Sequence, residues 1–168
     1  MDAMRDLVDG ILDAWRGQLP EIAGIELELS KRAARLHTLL SEAAGGQLAR
    51  FGLTKAEYDV LAVLRSSGQP HRLRPTDLTA RLLLSSGGTS NVLRRLVAEG
   101  LVTREADPDD ARSSWVQLTP TGVDTADAAV LASTEAQRRL LATVPADTAR
   151  AAADVLREVL VALGDRPV

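Results

Sequence analysis

The sequence predicts a mainly α chain built around a helix, a turn, a second helix and a two-stranded ribbon. Three observations carry that expectation. Arg74 to Gly122 holds two short amphipathic runs separated by Ser85-Ser86-Gly87-Gly88, then two strand-like runs around Asp107-Pro108-Asp109-Asp110. Its punctuation agrees, with Pro75 at the first turn of one helix and Gly100 just past the end of the next. Hydrophobic residues make up 45% of the 168 but aromatics only 2%, so the core must come from Leu, Val, Ile and Ala, which suits packed helices. This layout is a winged helix-turn-helix, with a two-stranded wing.

Leu7, Val8, Ile11, Leu12 and Trp15 recur at helical spacing and predict a first amphipathic helix. Gly17 to Pro20 ends it. Ile22, Ile25, Leu29, Ala33, Leu36, Leu40 and Ala43 share one face of a second helix, which Gly45-Gly46 weakens near its end. Thr54-Lys55-Ala56-Glu57 is a capping box that starts a third, with Tyr58, Leu61, Ala62 and Leu64 pointing inward. That helix ends at Ser66-Ser67-Gly68, and Pro70 to Leu73 leads extended into the motif.

Within the motif, Pro75–Leu83 predicts a short helix and Ser85 to Gly88 a turn with an N-cap serine. The second helix is expected over Thr89–Glu99, with Leu93, Leu96 and Val97 facing the core. Strands are expected over Leu101–Ala106 and Ser114–Leu118. Thr119-Pro120-Thr121-Gly122 opens another helix, with Val123, Ala126, Val130, Leu140, Leu141 and Val144 as its apolar positions. Pro145 breaks it. A last helix would bury Ala149, Ala152, Val155, Leu156, Val159, Leu160 and Leu163. The expected organisation is one compact unit of three parts: N-terminal helices over 1–50, a winged lobe over 51–122, and C-terminal helices over 123–168. The flanking helices carry more apolar face than a small winged lobe needs, which points to a second copy of the chain as a partner.

Composition narrows the function classes. No Cys is present, so no disulfide framework or thiol switch is available. His37 and His71 are the only histidines, without HExxH or Cys spacing, so no metal is expected. There is no nucleophile–base pairing and no phosphate loop, so neither enzyme activity nor a cofactor is expected. No apolar run approaches the ~20 residues needed to span a bilayer. The N-terminal MDAMRDLVDG lacks a signal-peptide stretch. The expected location is cytoplasmic.

The net charge of −3 argues weakly against nucleic acid, but distribution matters more than the sum. Arg94 and Arg95 are the only charges between Ser85 and Ala98, and Arg72, Arg74, Arg81, Arg104 and Arg112 flank that span. Short hydroxyls and an amide near a helix start can approach base edges, and an arginine one turn later can pair with guanine or phosphate. The candidate DNA-contacting residues are therefore Thr76, Ser86, Thr89, Ser90, Asn91, Arg94 and Arg95. The plain alternative is a solvated helix face. At the ribbon tip, Arg112 lies beside Asp109 and Asp110. It is either a solvated turn with a local ion pair, or a wing whose arginine enters a narrow minor groove while a carboxylate steadies it.

The runs LTKAEYDVL, SSGGTSNVLRRL, GLV, DPDDAR and LTPTG resemble the multiple-antibiotic-resistance regulator (MarR) family, over nearly the whole chain. That resemblance implies a winged-helix dimer whose dimerisation region uses the first and last helices. It also implies repression of nearby genes and release from double-stranded DNA by a small-molecule effector. It makes Arg112 the wing arginine and Asp110 its carboxylate partner. The extra N-terminal helix with AWRGQLP, together with EYDVL and SSGGTSN, is similar to the urate-responsive (PecS-like) branch. There, a tryptophan, an aspartate, an arginine and an asparagine form the ligand pocket. Trp15 and Asp59 match, whereas Val92 and Ser67 stand where the arginine and asparagine are expected. Loss of that arginine removes the partner for an anionic ligand and should leave Asp59 without its charged neighbour. Two readings of the chain are thus weighed, a ligand-responsive homodimeric DNA-binding regulator and a winged-helix protein–protein module without DNA binding.

Overall fold

The computed structural model describes the backbone of residues 5–82, 86–107 and 110–165, with side chains for all of these except 86, 87, 107 and 110–113. In chain order the helices are α1 (Leu7–Gln18), α2 (Ile25–Leu48), α3 (Lys55–Ser66), α4 (Pro75–Leu82), α5 (Ser86–Ala98), α6 (Pro120–Leu141) and α7 (Ala146–Ala162). The strands are β1 (Arg72–Leu73), β2 (Val102–Asp107) and β3 (Asp110–Leu118). Short 3-10 turns at Pro20–Ile22 and Ala49–Phe51 flank α2. The chain forms two compact units, Met1–Glu42 and Ala43–Val168.

In the first unit, Asp6 caps α1. Its carboxylate accepts from the N–H groups of Val8 and Asp9 at 2.8 and 3.0 Å, and Asp9 returns the bond to the Asp6 N–H at 2.8 Å. Arg32 of α2 reaches across to Asp6 at 2.9 Å and Asp9 at 2.8 Å and also pairs with Glu28 on its own helix. α1 is therefore fastened to α2 through the same carboxylates that start it. Ile22, expected in the second helix, sits in the preceding 3-10 turn, and α2 runs straight through Gly45-Gly46 to Leu48.

The second unit is the winged lobe with α6 and α7. Thr54 and Glu57 form the expected capping box of α3. Val60, Leu61 and Leu64 bury its inner face, while Tyr58 and Ala62 are half-buried. Leu78 anchors α4, Leu93 and Leu96 anchor α5, and Val102, Val116 and Leu118 close the core from the sheet. Burying each such side chain is worth about 1.5–3 kcal/mol. The sheet is antiparallel in the order β1-β3-β2. The extended lead-in to α4 thus joins the wing as a third strand, pairing Arg72 with Gln117 and Leu73 with Val116.

Three expectations about the motif change. α5 begins at Ser86, so Gly87 and Gly88 belong to its first turn and not to the preceding turn. Glycine costs a helix about 1 kcal/mol, and the buried Leu93 and Leu96 offset it. Ser85 and Leu83 lie outside the described residues. β3 starts at Asp110, earlier than expected. Between the Ala106–Ser114 and Asp107–Asp110 pairs the register shifts, leaving a bulge on β3. Val97 is 40% exposed, and Val92 packs against the core in its place.

α5 ends as expected. Gly100 adopts a φ of 71°, and the N–H groups of Gly100 and Leu101 bond to the carbonyls of Val97 and Leu96, both at 3.0 Å. Thr119 then caps α6 by accepting from Gly122 N–H at 2.9 Å, and its hydroxyl donates to Gly100 O at 2.7 Å. α6 faces the core with Gly122, Ala126, Ala129 and Ser133. Of its expected apolar positions only Ala126 is fully buried, and Leu140 and Leu141 are exposed. α7 has no buried residue at all, contrary to expectation. Val155 and Leu160 on α7, and Leu163 just past its end, stand exposed.

Candidate nucleic-acid interface

α5 is held from behind and open in front. Thr89, Leu93 and Leu96 recur at three- and four-residue steps on its buried side. Ser90, Asn91 and Arg94 fall on the opposite side and are exposed. Thr89 lies one turn before Leu93 and so shares its buried stripe. It is 2% exposed, which removes its hydroxyl from the outward face where the sequence placed it. Arg94 donates to the Asn91 side-chain oxygen, which links the amide and the guanidinium on the outward face.

Thr76 is exposed in the first turn of α4, beside Pro75. Pro75, Thr76, Thr79, Ser90 and Arg104 line a cleft of about 330 Å³ between α4, α5 and β2, with Thr89 and Leu93 also on its wall. Arg104 lies 3.4 Å from the Ser114 hydroxyl across the ribbon. Arg72 and Arg74 both stack on Trp115, their guanidinium carbons 4.6 and 5.0 Å from the indole centroid. Arg104 stands beside α5 on the sheet side. The side chains of Ser86, Asp110 and Arg112, three of the expected contacts, lie outside those described.

Arg95 is placed differently from Arg94. Its Nε lies 3.0 Å from Glu57 Oε1, and its Nη2 lies 3.6 Å from Glu99. Glu57 is 1% exposed. Its other oxygen, Oε2, accepts from the Thr54 N–H and from the Thr54 hydroxyl, both at 2.8 Å. One buried carboxylate thus starts α3 and holds α5. The capping box marks Glu57 in the sequence, but nothing local signals its second partner.

The expected ligand residues are divided between the units, Trp15 in the first and Asp59, Ser67 and Val92 in the second. Trp15 is 40% exposed on α1. Asp59 pairs with Lys55 one turn earlier on α3, and Val92 stands where the arginine was expected. The Ser67 hydroxyl donates to Leu64 O at 2.7 Å, and Val92 packs against the core. Among the described residues no group of His, Asp and Glu is arranged to hold a metal, and no helix is long and apolar enough to cross a membrane.

Residues 51–113 match the model of the MarR family. The chain is similar to the HTH-type transcriptional regulator PecS of Dickeya dadantii (strain 3937), with 27% identity over 115 residues, 68% of this chain and 69% of PecS. Among solved structures it is similar to Sco3205, a MarR-family transcriptional regulator from Streptomyces coelicolor in complex with DNA. That likeness has a TM-score of 0.70 and 26% identity, covering 86% of this chain and 91% of the other. A mutant MarR from E. coli complexed with operator DNA shares the fold, with a TM-score of 0.71 and 22% identity over 93% of this chain and 99% of that one.

Proposed function

Because the chain belongs to the MarR family of transcriptional regulators, we propose that it is a repressor that binds double-stranded DNA as a homodimer and leaves its operator when a small-molecule effector binds. The observation that carries the DNA-binding part is the outward face of α5. Ser90, Asn91 and Arg94 project from a helix locked behind by Leu93 and Leu96, with no acid between Ser86 and Ala98. Asn beside Arg offers donors and an acceptor together, the chemistry that reads base edges in a major groove. Thr76 and Ser86 would hold phosphates beside it, and the wing would place Arg112, steadied by Asp110, in the minor groove.

The uncovered apolar face of α7 supports the dimer. Val155, Leu160 and Leu163 are each about half exposed or more in the single chain. Two-fold symmetry then requires a pseudopalindromic site with half-sites ~10 bp apart. The effector rests on the likeness to PecS and on Trp15 and Asp59. With Val92 where that branch has an arginine, the partner for an anionic ligand is replaced by an apolar side chain, and a neutral or cationic, largely apolar ligand fits better than urate. Footprinting on the intergenic DNA beside the chain's own gene tests the function. Protection of an inverted repeat there is the expected result, and absence of any protected segment at low salt would overturn it.

A further inference from the structure

The geometry points to Glu57 as a specificity-determining residue that acts through Arg95, an inference that rests on the proposed DNA binding and deepens it. α5 carries two adjacent arginines with opposite fates. Arg94 faces outward beside Asn91, whereas Arg95 sits on the flank of α5 turned toward α3, with its Nε 3.0 Å from the buried Glu57 Oε1. Glu57 has no solvent to screen it and no freedom to leave, because Oε2 is fixed by two bonds to Thr54. Its remaining oxygen faces a cation, Arg95, among the described residues.

Two consequences follow for binding. Arg95 is withheld from the phosphates, where it would strengthen attachment to every sequence equally. The same ion pair ties the flank of α5 to the start of α3, so it fixes how far Asn91 and Arg94 are presented. Glu57 therefore raises the ratio of operator binding to random binding without touching DNA. The exposed contact from Arg95 to Glu99, at 3.6 Å, is too long and too solvated to do this alone.

Binding of the full-length chain to a labelled random-sequence duplex and to the intergenic duplex, measured across a salt series by fluorescence anisotropy, tests this. Glu57→Gln keeps an acceptor for Thr54 but loses the charge that holds Arg95. It should steepen the random-duplex slope of log K against log salt by about 0.9, one added phosphate contact. It should also lower the operator-to-random ratio roughly tenfold. Arg95→Met should lower the same ratio while leaving the random-duplex slope at the native value. The double variant should return the slope to native. A slope that flattens by about 0.9 in Arg95→Met shows Arg95 on a phosphate and overturns the inference, as does steepening that survives in the double variant. If Glu57→Gln fails to fold, judged by circular dichroism, Arg95→Met decides alone. Failure of the native chain to bind either duplex would instead sink the DNA-binding reading itself.

Discussion

Gly122→Ala is the substitution whose outcome the fold predicts most sharply. A Cβ built at Gly122 would lie 1.9 Å from the Leu101 carbonyl oxygen, 2.9 Å from its carbon and 3.3 Å from the Thr119 hydroxyl. The obstacle is backbone, and that backbone is fixed. Leu101 O accepts from Thr119 N–H at 3.1 Å, and Leu101 N–H closes the end of α5 on Leu96. Relief requires α6 to back away from the corner where α5 turns into β2. Overpacking costs typically 1–3 kcal/mol, and an obstacle this close to backbone belongs near the top, about 3 kcal/mol. Alanine returns about 1 kcal/mol of helix propensity, leaving a net loss of about 2 kcal/mol. With an m-value of about 1–3 kcal/mol per molar urea, the unfolding midpoint should fall by about 1 M. Urea titration at one fixed protein concentration, followed by circular dichroism, reads this. Gly45→Ala is the control, since nothing lies within 4 Å of a Cβ there, and it should gain about 0.5–1 kcal/mol. A Gly122→Ala midpoint at or above the native one would refute the close-approach argument.

Three further outcomes are expected. Light scattering at low micromolar concentration should give about twice the 17.9 kDa chain mass, and a stable soluble monomer would contradict the reading of α7 as a buried face. Micromolar urate should not release the operator, whereas neutral or cationic aromatics should quench Trp15. Release by urate that Asp59→Asn abolishes would contradict the argument from Val92. The Arg32 hydrogen bond, followed by the Asp9 backbone N–H, holds the Asp6 carboxyl below its usual value. A lowered folded value means the bond stabilises fully above the unfolded-state pKa, about 3.9, and is lost as pH falls through the folded value. Asp6→Asn should therefore flatten the loss of stability below about pH 4, read as helical signal, and an unchanged acid limb would contradict this.

Local chemistry made much of this fold legible. Thr54 and Glu57, Thr119 and Gly122, and Gly100 each act over a few residues, and each does what its spacing implies. The register of α5 was not legible, because Gly87-Gly88 is ordinary turn composition and only the burial of Leu93 and Leu96 draws it into a helix. Thr89 lies one turn before Leu93, and that spacing places it in the interior. The Glu57–Arg95 ion pair joins residues far apart in sequence, so no period or motif encodes it. Periodicity showed that α7 has an apolar face, but it cannot say whether the cover comes from the same chain. The site itself was half legible. Ser90, Asn91, Arg94 and Thr76 are exposed on the motif helices as the pattern required, while Arg95 shares the composition of Arg94 but not its surroundings.

The proposed function requires the outward face of α5 to read DNA. The direct measurement is the affinity of Arg94→Ala for the protected intergenic duplex against a random duplex, at one stated salt concentration. The account predicts a loss of roughly 1–3 kcal/mol on the protected site, about 5- to 150-fold, with relaxed preference at one base position and a smaller loss on random sequence. Equal losses on both duplexes would make Arg94 a phosphate contact only, and no loss on either would contradict the assignment of this face.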